Sequence, residues 1–333
     1  MQKIPVVDLS RASTAAGAQS HSQVVAQIAA AGAEWGFFQV VNHGVPADLV
    51  ERVWTETRRF FSLTRSKKLA ILRTRENPRG YYDRELTKNT RDLKEVFDFG
   101  SVPHPELADD HPANYDRVNG YNLWPAELPG FKPTMLEYFK ACEALGMRLL
   151  ELFCLGLGAP GDQLRPAFHP AHTGFIRLNY YPREDPLEPD VSGDVASLGD
   201  MALHHHSDAG ALTILLQDDV GGLQVFAKDE WRDVPPLAGA FVINTADMMQ
   251  VWSNDRYQAP LHRVLPVSGK PRYSIPFFFN PSYEHNCAPL EVLVQAEGAH
   301  YRPINWGEFR QLRTDGDYTD YGKEVQLDEY RLP

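Results

Sequence analysis

After about residue 173 the chain breaks into short strand-like pieces separated by turns, and this texture limits its architecture more than any other feature. Ile176 to Tyr181, Leu212 to Gln217, Leu223 to Phe226, Phe241 to Asn244, His262 to Pro266 and Tyr273 to Phe279 are brief apolar runs. Asp218-Asp219, Gly221-Gly222 and Ser268-Gly269-Lys270-Pro271 supply the turn chemistry between them. Many short strands at this spacing predict a sandwich or barrel. The preceding part reads differently. Gln23 to Trp35, Pro46 to Ser62 and a long segment from Pro133 to Gly156 carry apolar residues at helical spacing. Ile4 to Leu9 and Gly36 to Gly44 read as strands, and Lys67 to Arg91 as polar and irregular. With no internal repeat or low-complexity segment, the expected organisation is a helical N-terminal region laid on a β core. The expected divisions are 1–120 (helical and mixed), 121–172 (long helix and connection), 173–285 (β core) and 286–333 (C-terminal helix and tail).

Composition narrows the setting. The 333 residues are 43% hydrophobic and 23% charged, enough material for a large core. A net charge of -11 argues against nucleic acid or an anionic membrane surface as partner, since both need a basic face. No run is long and apolar enough to span a bilayer, and the N-terminal residues lack a signal core. Three scattered cysteines, Cys142, Cys154 and Cys287, make no disulfide framework. A cytoplasmic protein with a small-molecule substrate and no evident protein partner is expected.

The strand-like half also carries the chemistry. His206-Ser207-Asp208 is the only His-x-Asp among the 12 histidines. Residues two apart on an extended segment share a face, so both side chains reach one metal. A third ligand must come from elsewhere, and His262 supplies it from a distant strand. Two imidazoles and one carboxylate leave positions open, which suits a non-haem Fe(II) oxygenase. Zinc hydrolases use the same ligand types, but the Arg272-Tyr273-Ser274 that follows favours iron. A guanidinium fork and a hydroxyl on one strand face fit the distal carboxylate of a chelating 2-oxo acid. An antiparallel hairpin through Ser268 to Pro271 is expected to put His262 and Arg272 on one sheet. His104-Pro105-Glu106 lies in a proline-rich loop without a partner set and is set aside.

These residues, together with Gly36-Phe37-Phe38-Gln39-Val40-Val41-Asn42-His43-Gly44, Arg177-Leu178-Asn179-Tyr180-Tyr181-Pro182 and Trp252-Ser253-Asn254-Asp255, resemble the isopenicillin N synthase-like branch of the Fe(II)/2-oxoglutarate-dependent dioxygenases. The resemblance covers nearly the whole chain. It implies a mainly β fold, a double-stranded β-helix (jelly-roll) core with flanking helices. It implies His206, Asp208 and His262 as iron ligands, and Arg272 and Ser274 as the 2-oxoglutarate carboxylate site, aided by Tyr181 and Asn179. Fe(II), 2-oxoglutarate as co-substrate, O2 and ascorbate as reductant follow from it, as does hydroxylation or desaturation of a small organic molecule, with release of succinate and CO2, in specialised metabolism or catabolism. Two departures point away from a plant flavonoid substrate. Asn280 stands where flavonoid-type members carry an acidic residue, and Arg183-Glu184-Asp185-Pro186 replaces their Pro-Cys-Pro.

Phe278 and Asn280 continue the alternation of Arg272 and Ser274, and with Tyr82 and Phe97 from the N-terminal region they are the expected substrate wall. Arg177 alternates with Asn179 and Tyr181. A buried charge there needs either a substrate carboxylate or an Asp or Glu partner, and both readings stand. Two other functions remain open: a 2-oxoglutarate-independent iron oxidase of the same fold, and a catalytically silent small-molecule-binding protein.

Overall fold

The computed structural model describes residues 3–12, 18–87, 90–116, 118, 120–185, 187, 198–266, 269–317 and 325–333. In chain order the strands are β1 (Val6–Asp8), β2 (Phe37–Val41), β3 (Gly80–Tyr82), β4 (Leu86–Thr87), β5 (Thr90–Arg91), β6 (Glu95–Gly100), β7 (Phe175–Tyr181), β8 (Leu203–His206), β9 (Leu212–Gln217), β10 (Leu223–Ala227), β11 (Glu230–Asp233), β12 (Phe241–Thr245), β13 (His262–Val264) and β14 (Arg272–Phe279). The helices are α1 (Ala18–Glu34), α2 (Ala47–Phe61), α3 (Arg65–Leu69), α4 (Phe131–Gly156), α5 (Asp247–Trp252), α6 (Glu291–Glu297) and α7 (Trp306–Asp317).

Two sheets make the core. An eight-stranded sheet has the order β1-β2-β12-β9-β14-β7-β6-β3, and a four-stranded sheet has the order β11-β10-β13-β8. Together they form the jelly roll that the short-strand texture and the resemblance lead one to expect. The N-terminal region contributes β1 and β2, where strands were expected, and also β3 and β6 to the large sheet.

The outer face of the large sheet is covered by α4, against which α1 and α2 pack. Met135, Phe139, Cys142, Leu149 and Phe153 form the buried stripe of α4, at the three-, four- and seven-residue spacing a packed helix needs. The approach is close: a Cβ on Gly146 would lie 2.7 Å from the Phe279 ring. Gly158, at φ +78, takes the left-handed turn that leads the chain out of the helix. Tyr181, Leu215, Leu223, Val225, Val242 and Val264 form a second apolar cluster between the sheets.

Three expectations change. β6, not recognised as a strand, is fully buried. Glu95 and Asp98 interrupt its apolar pattern, yet each meets a buried cation, Lys68 and Arg177 respectively. Second, the polar stretch 67–91 holds ordered pieces, including α3 and β3. Third, His262 and Arg272 do not share a sheet: β13 lies in the four-stranded sheet and β14 in the eight-stranded one. The connection, whose residues 267 and 268 lie outside the described set, crosses between sheets. Both side chains still meet in one cavity because the inner faces of the two sheets oppose each other.

Candidate metal centre

His206 and His262 sit directly opposite each other where β8 pairs with β13, and Asp208 follows in the loop after β8. Asp208 Oδ1 lies 3.6 Å from His206 Nε2 and 3.7 Å from His262 Nε2. One ligand atom from each residue falls within 4.8 Å of the others, the only such cluster among the described residues. The surroundings orient all three. The Nδ1 of His206 is 2.9 Å from the His204 carbonyl, and that of His262 is 3.3 Å from the Pro260 carbonyl. Each carbonyl accepts the Nδ1 proton and leaves the Nε2 lone pair facing Asp208. The other carboxylate oxygen, Oδ2, accepts from the Thr213 hydroxyl and from Asn244 Nδ2 at 2.8 Å. That leaves Oδ1 for a cation.

Electrostatics agree. Burial and the neighbouring His206 push His262 down to about 4. Burial works against ionising Asp208, but His262 and His206 outweigh it and hold its carboxyl well below the usual range. For His206, burial opposes charging, yet the Asp208 carboxylate raises its pKa. Asp208 and His262 are thus held in the ionised and neutral forms that ligate a metal, while His206, favoured as the imidazolium by Asp208, gives up a proton when a metal takes its Nε2.

A cavity of about 140 Å³ opens from this cluster between the sheets. Across it, Ser274 pairs in register with Asn179 and with Gln217, and Arg272 with Tyr181. Arg272 is 1% exposed. Its Nη2 reaches Gln217 Oε1 at 3.4 Å, its guanidinium lies 5.0 Å from the centre of the Tyr181 ring, and Nε and Nη1 have no hydrogen-bond partner. Among the described residues no carboxylate lies within ion-pair distance of it. A buried cation left in that state calls for an anion. The residues present therefore fit both an iron and a bound oxo acid.

Phe278 and Asn280 line the same cavity, and the Phe278 ring stacks on Phe175 at 4.8 Å. Arg177 lines it too, but its guanidinium is occupied. Nε and Nη2 donate to the two Asp98 oxygens at 2.8 and 2.7 Å, and Nη1 donates to Glu85 at 3.1 Å. Of the two readings for Arg177, the carboxylate partner within the protein is the one realised.

Phe97 and Tyr82 are corrected. The pairing of β6 with β7 puts Asp98 beside Arg177 and Phe97 beside Leu178. Phe97 thus faces the helices, among Phe60, Phe131 and Trp124. Tyr82 is on the edge strand β3, covered by the Arg73 guanidinium 3.8 Å from its ring centre, and is not part of the cavity wall. Sequence reasoning also missed Thr213, Asn244, Glu85 and Lys94. The first two had a signal: a polar residue inside an apolar strand must have a partner. Glu85 comes from the stretch read as irregular and Lys94 from just beyond it, and nothing local marks them.

Comparison with known proteins bears on this arrangement. The family model of the 2OG-Fe(II) oxygenase superfamily matches residues 172–281, and that of the N-terminal region of non-haem dioxygenases in morphine synthesis matches residues 4–127. The 2-oxoglutarate-Fe(II) type oxidoreductase hxnY of Emericella nidulans is 35% identical over 81% of this chain and 77% of its own. A 1-aminocyclopropane-1-carboxylate oxidase of Musa acuminata is 34% identical over 96% of this chain and 94% of its own. The crystal structure of JOX2 in complex with 2OG, Fe and JA matches with a TM-score of 0.80 at 28% identity, over 100% of this chain and 90% of that one.

Proposed function

The chain belongs to the 2-oxoglutarate–Fe(II) oxygenase superfamily and is an iron- and 2-oxoglutarate-dependent oxidoreductase, and from that premise we propose which of its residues do the work. His206, Asp208 and His262 hold the iron. Arg272 and Ser274 receive the far carboxylate of 2-oxoglutarate, with Tyr181 and Asn179 beside them. The observation that carries this assignment is the buried Arg272 guanidinium with two unpartnered donors, across the cavity from three converging ligand atoms.

When bound, iron and 2-oxoglutarate supply an oxidant for an unactivated C–H bond, with succinate and CO2 as co-products, and ascorbate serves to keep the iron reduced. The protein contributes placement and exclusion. The carbonyls of His204 and Pro260 fix the imidazole orientations, and Thr213 and Asn244 fix the carboxylate. Tyr181, Leu215, Leu223 and Val264 keep water from the oxo acid. Phe278, Asn280 and Phe175 form the wall along which a small organic substrate lies.

Charge supports the same assignment. Fe(II), Asp208, Arg272 and a doubly negative oxo acid sum to zero (2 − 1 + 1 − 2), so the loaded site is neutral where water is excluded. Residues 173–285 supply every iron and oxo-acid contact in this reading. The 1–120 region adds Glu85 and Lys94 to the wall, and the 286–333 region adds Trp306, Arg310 and Arg313. Cys142, Cys154 and Cys287 are free and buried, which supports a reducing, cytoplasmic setting. Among the described residues no helix is long and apolar enough to cross a membrane.

The test is anaerobic visible absorption of metal-free protein titrated with Fe(II) and then with 2-oxoglutarate. A charge-transfer band that needs both, and that is lost in Arg272→Met at the same oxo-acid concentration, is the expected result. Equal bands in the two proteins would overturn the Arg272 assignment.

A further inference from the structure

The loop bearing Asp208 is gripped through its backbone. The amides of Asp247, Met248 and Ala246, at the start of α5, donate to the carbonyls of Asp208, Gly210 and Ala211 at 2.9, 2.9 and 3.0 Å. The carbonyl of Ser207, the residue between two metal-binding positions, instead accepts from Arg313 Nη2 of α7 at 3.2 Å. The same guanidinium donates through Nη1 to the Val325 carbonyl at 3.1 Å, and Nη2 lies 3.7 Å from Asp247 Oδ2. Arg313 is only 6% exposed although it borders the cavity. One planar fork thus ties the peptide between His206 and Asp208 to α5 and to the C-terminal segment, a geometry an ammonium cannot reproduce.

We propose that Arg313 is a positioning residue for the metal centre, which sets the Ser207 peptide plane and so the angle between the His206 imidazole and the Asp208 carboxylate. The two ligands are two residues apart, so rotation of the peptide between them moves both at once. Partners that orient metal ligands typically contribute about 10- to 100-fold in metal affinity. Arg313 acts through a backbone carbonyl, so the lower end, about 10-fold, is expected. The inference rests on the ligand assignment made above.

Co(II), which accepts the same ligand types and absorbs in the visible, is titrated into metal-free wild type, His206→Ala, Arg313→Met and Arg313→Lys, with thermal unfolding of each metal-free protein alongside. Arg313→Met is expected to bind Co(II) about 10-fold more weakly, with a shifted band at saturation. Arg313→Lys, which can serve one acceptor but not all three, falls between it and wild type. Affinity within twofold of wild type and an unchanged band in both variants would overturn the proposal. So would an Arg313→Met that fails to fold beside an Arg313→Lys that matches wild type in affinity and spectrum, since Arg313 would then be structural only. If wild type binds no more tightly than His206→Ala, the ligand assignment itself falls and takes this inference with it.

Discussion

Arg177 and Arg272 stand on neighbouring strands of one sheet, both buried and both on the cavity wall, yet their electrostatic situations are opposite. Arg177 is enclosed by Asp98 and Glu85, brought in by the N-terminal strands and the turn after β3. Arg272 meets Tyr181, Ser274, Asn179 and Gln217, all neutral. Burial of a charge alone therefore does not mark a binding site. A paired buried charge holds scaffold together, while an unpaired one is tolerated because something else brings the counter-charge. The two halves of the cavity divide along this line: a self-neutralised wall on the N-terminal side, and an open electrostatic valence around the residues proposed to hold iron and the oxo acid.

The largest expected effect breaks the open half outright. Asp208→Ala removes the carboxylate on which both imidazoles converge, so Fe(II)-dependent succinate release should fall to below about one-thousandth of wild type. Turnover that survives this change would mean the metal lies elsewhere and that the unpaired state of Arg272 needs another cause.

The comparison itself is tested by treating the two arginines alike. Arg177→Met strips Asp98 of its close partner, leaving it only Arg73 at 3.8 Å, while Glu85 keeps Arg73 and Lys94, and urea unfolding should show a loss of about 3 kcal/mol, the low end for a broken buried pair. Arg272→Met removes a cation that has no ion-pair partner, only Gln217 and the Tyr181 ring, so the metal-free protein should lose little stability or gain some. Its cost should appear in KM for 2-oxoglutarate, raised roughly 10- to 150-fold, the worth of about 1.5–3 kcal/mol for hydrogen bonds to a charged group. The reverse pattern, with Arg272→Met unstable and Arg177→Met defective in oxo-acid binding, would exchange the roles.

Legibility in the sequence followed the same division. That His206, Asp208 and His262 converge, with Arg272 and Ser274 on the same cavity, was readable because each chemical demand, a shared face or a fork with a hydroxyl, is met by spacing within one strand or by one distant histidine. Phe278 and Asn280 followed from simple alternation along β14. The paired half was not readable. Glu95 and Asp98 look like surface residues until Lys68 and Arg177 are seen beside them, and those partners are far away in the chain. With β6 hidden in this way its phase was unknown, so Phe97 was placed on the wrong face and Tyr82 in the wrong place. The hairpin expected between His262 and Arg272 failed for a related reason. Local turn chemistry shows that a chain reverses, but not whether the returning strand joins the same sheet or the opposite one.

Support for the iron ligands should be measurable but smaller. Thr213→Val keeps the shape of the side chain and deletes the hydroxyl that donates to Asp208 Oδ2, leaving Asn244 to hold that oxygen alone. Fe(II) affinity should drop about 10-fold, at the low end for such partners, with folding stability nearly unchanged because the remaining bond keeps the carboxylate in place. An unchanged affinity would mean that Asn244 by itself fixes the ligand.

The mildest test uses pH to ask whether the self-neutralised wall is electrostatic at all. Burial alone would raise the Glu85 pKa, but Arg177, Arg73 and Lys94 bring it from an ordinary 4.5 down to about 2. A carboxyl depressed on folding adds stability that is fully present above the unfolded value, near 4.5, and is lost as pH falls toward the folded value. Between those limits one proton contributes at most about 1.4 kcal/mol per pH unit. Urea midpoints of the metal-free protein, measured from pH 7 down to 2.5, should therefore decline less steeply below pH 4.5 in Glu85→Gln than in wild type, by about one proton. Arg272→Met should change the slope less, since no carboxylate lies within ion-pair distance of Arg272 and the one it acts on from further away, Asp218, is raised by burial all the same. If Glu85→Gln titrates like wild type, packing rather than charge holds the wall, and the contrast between the two arginines reduces to the single question of what binds Arg272.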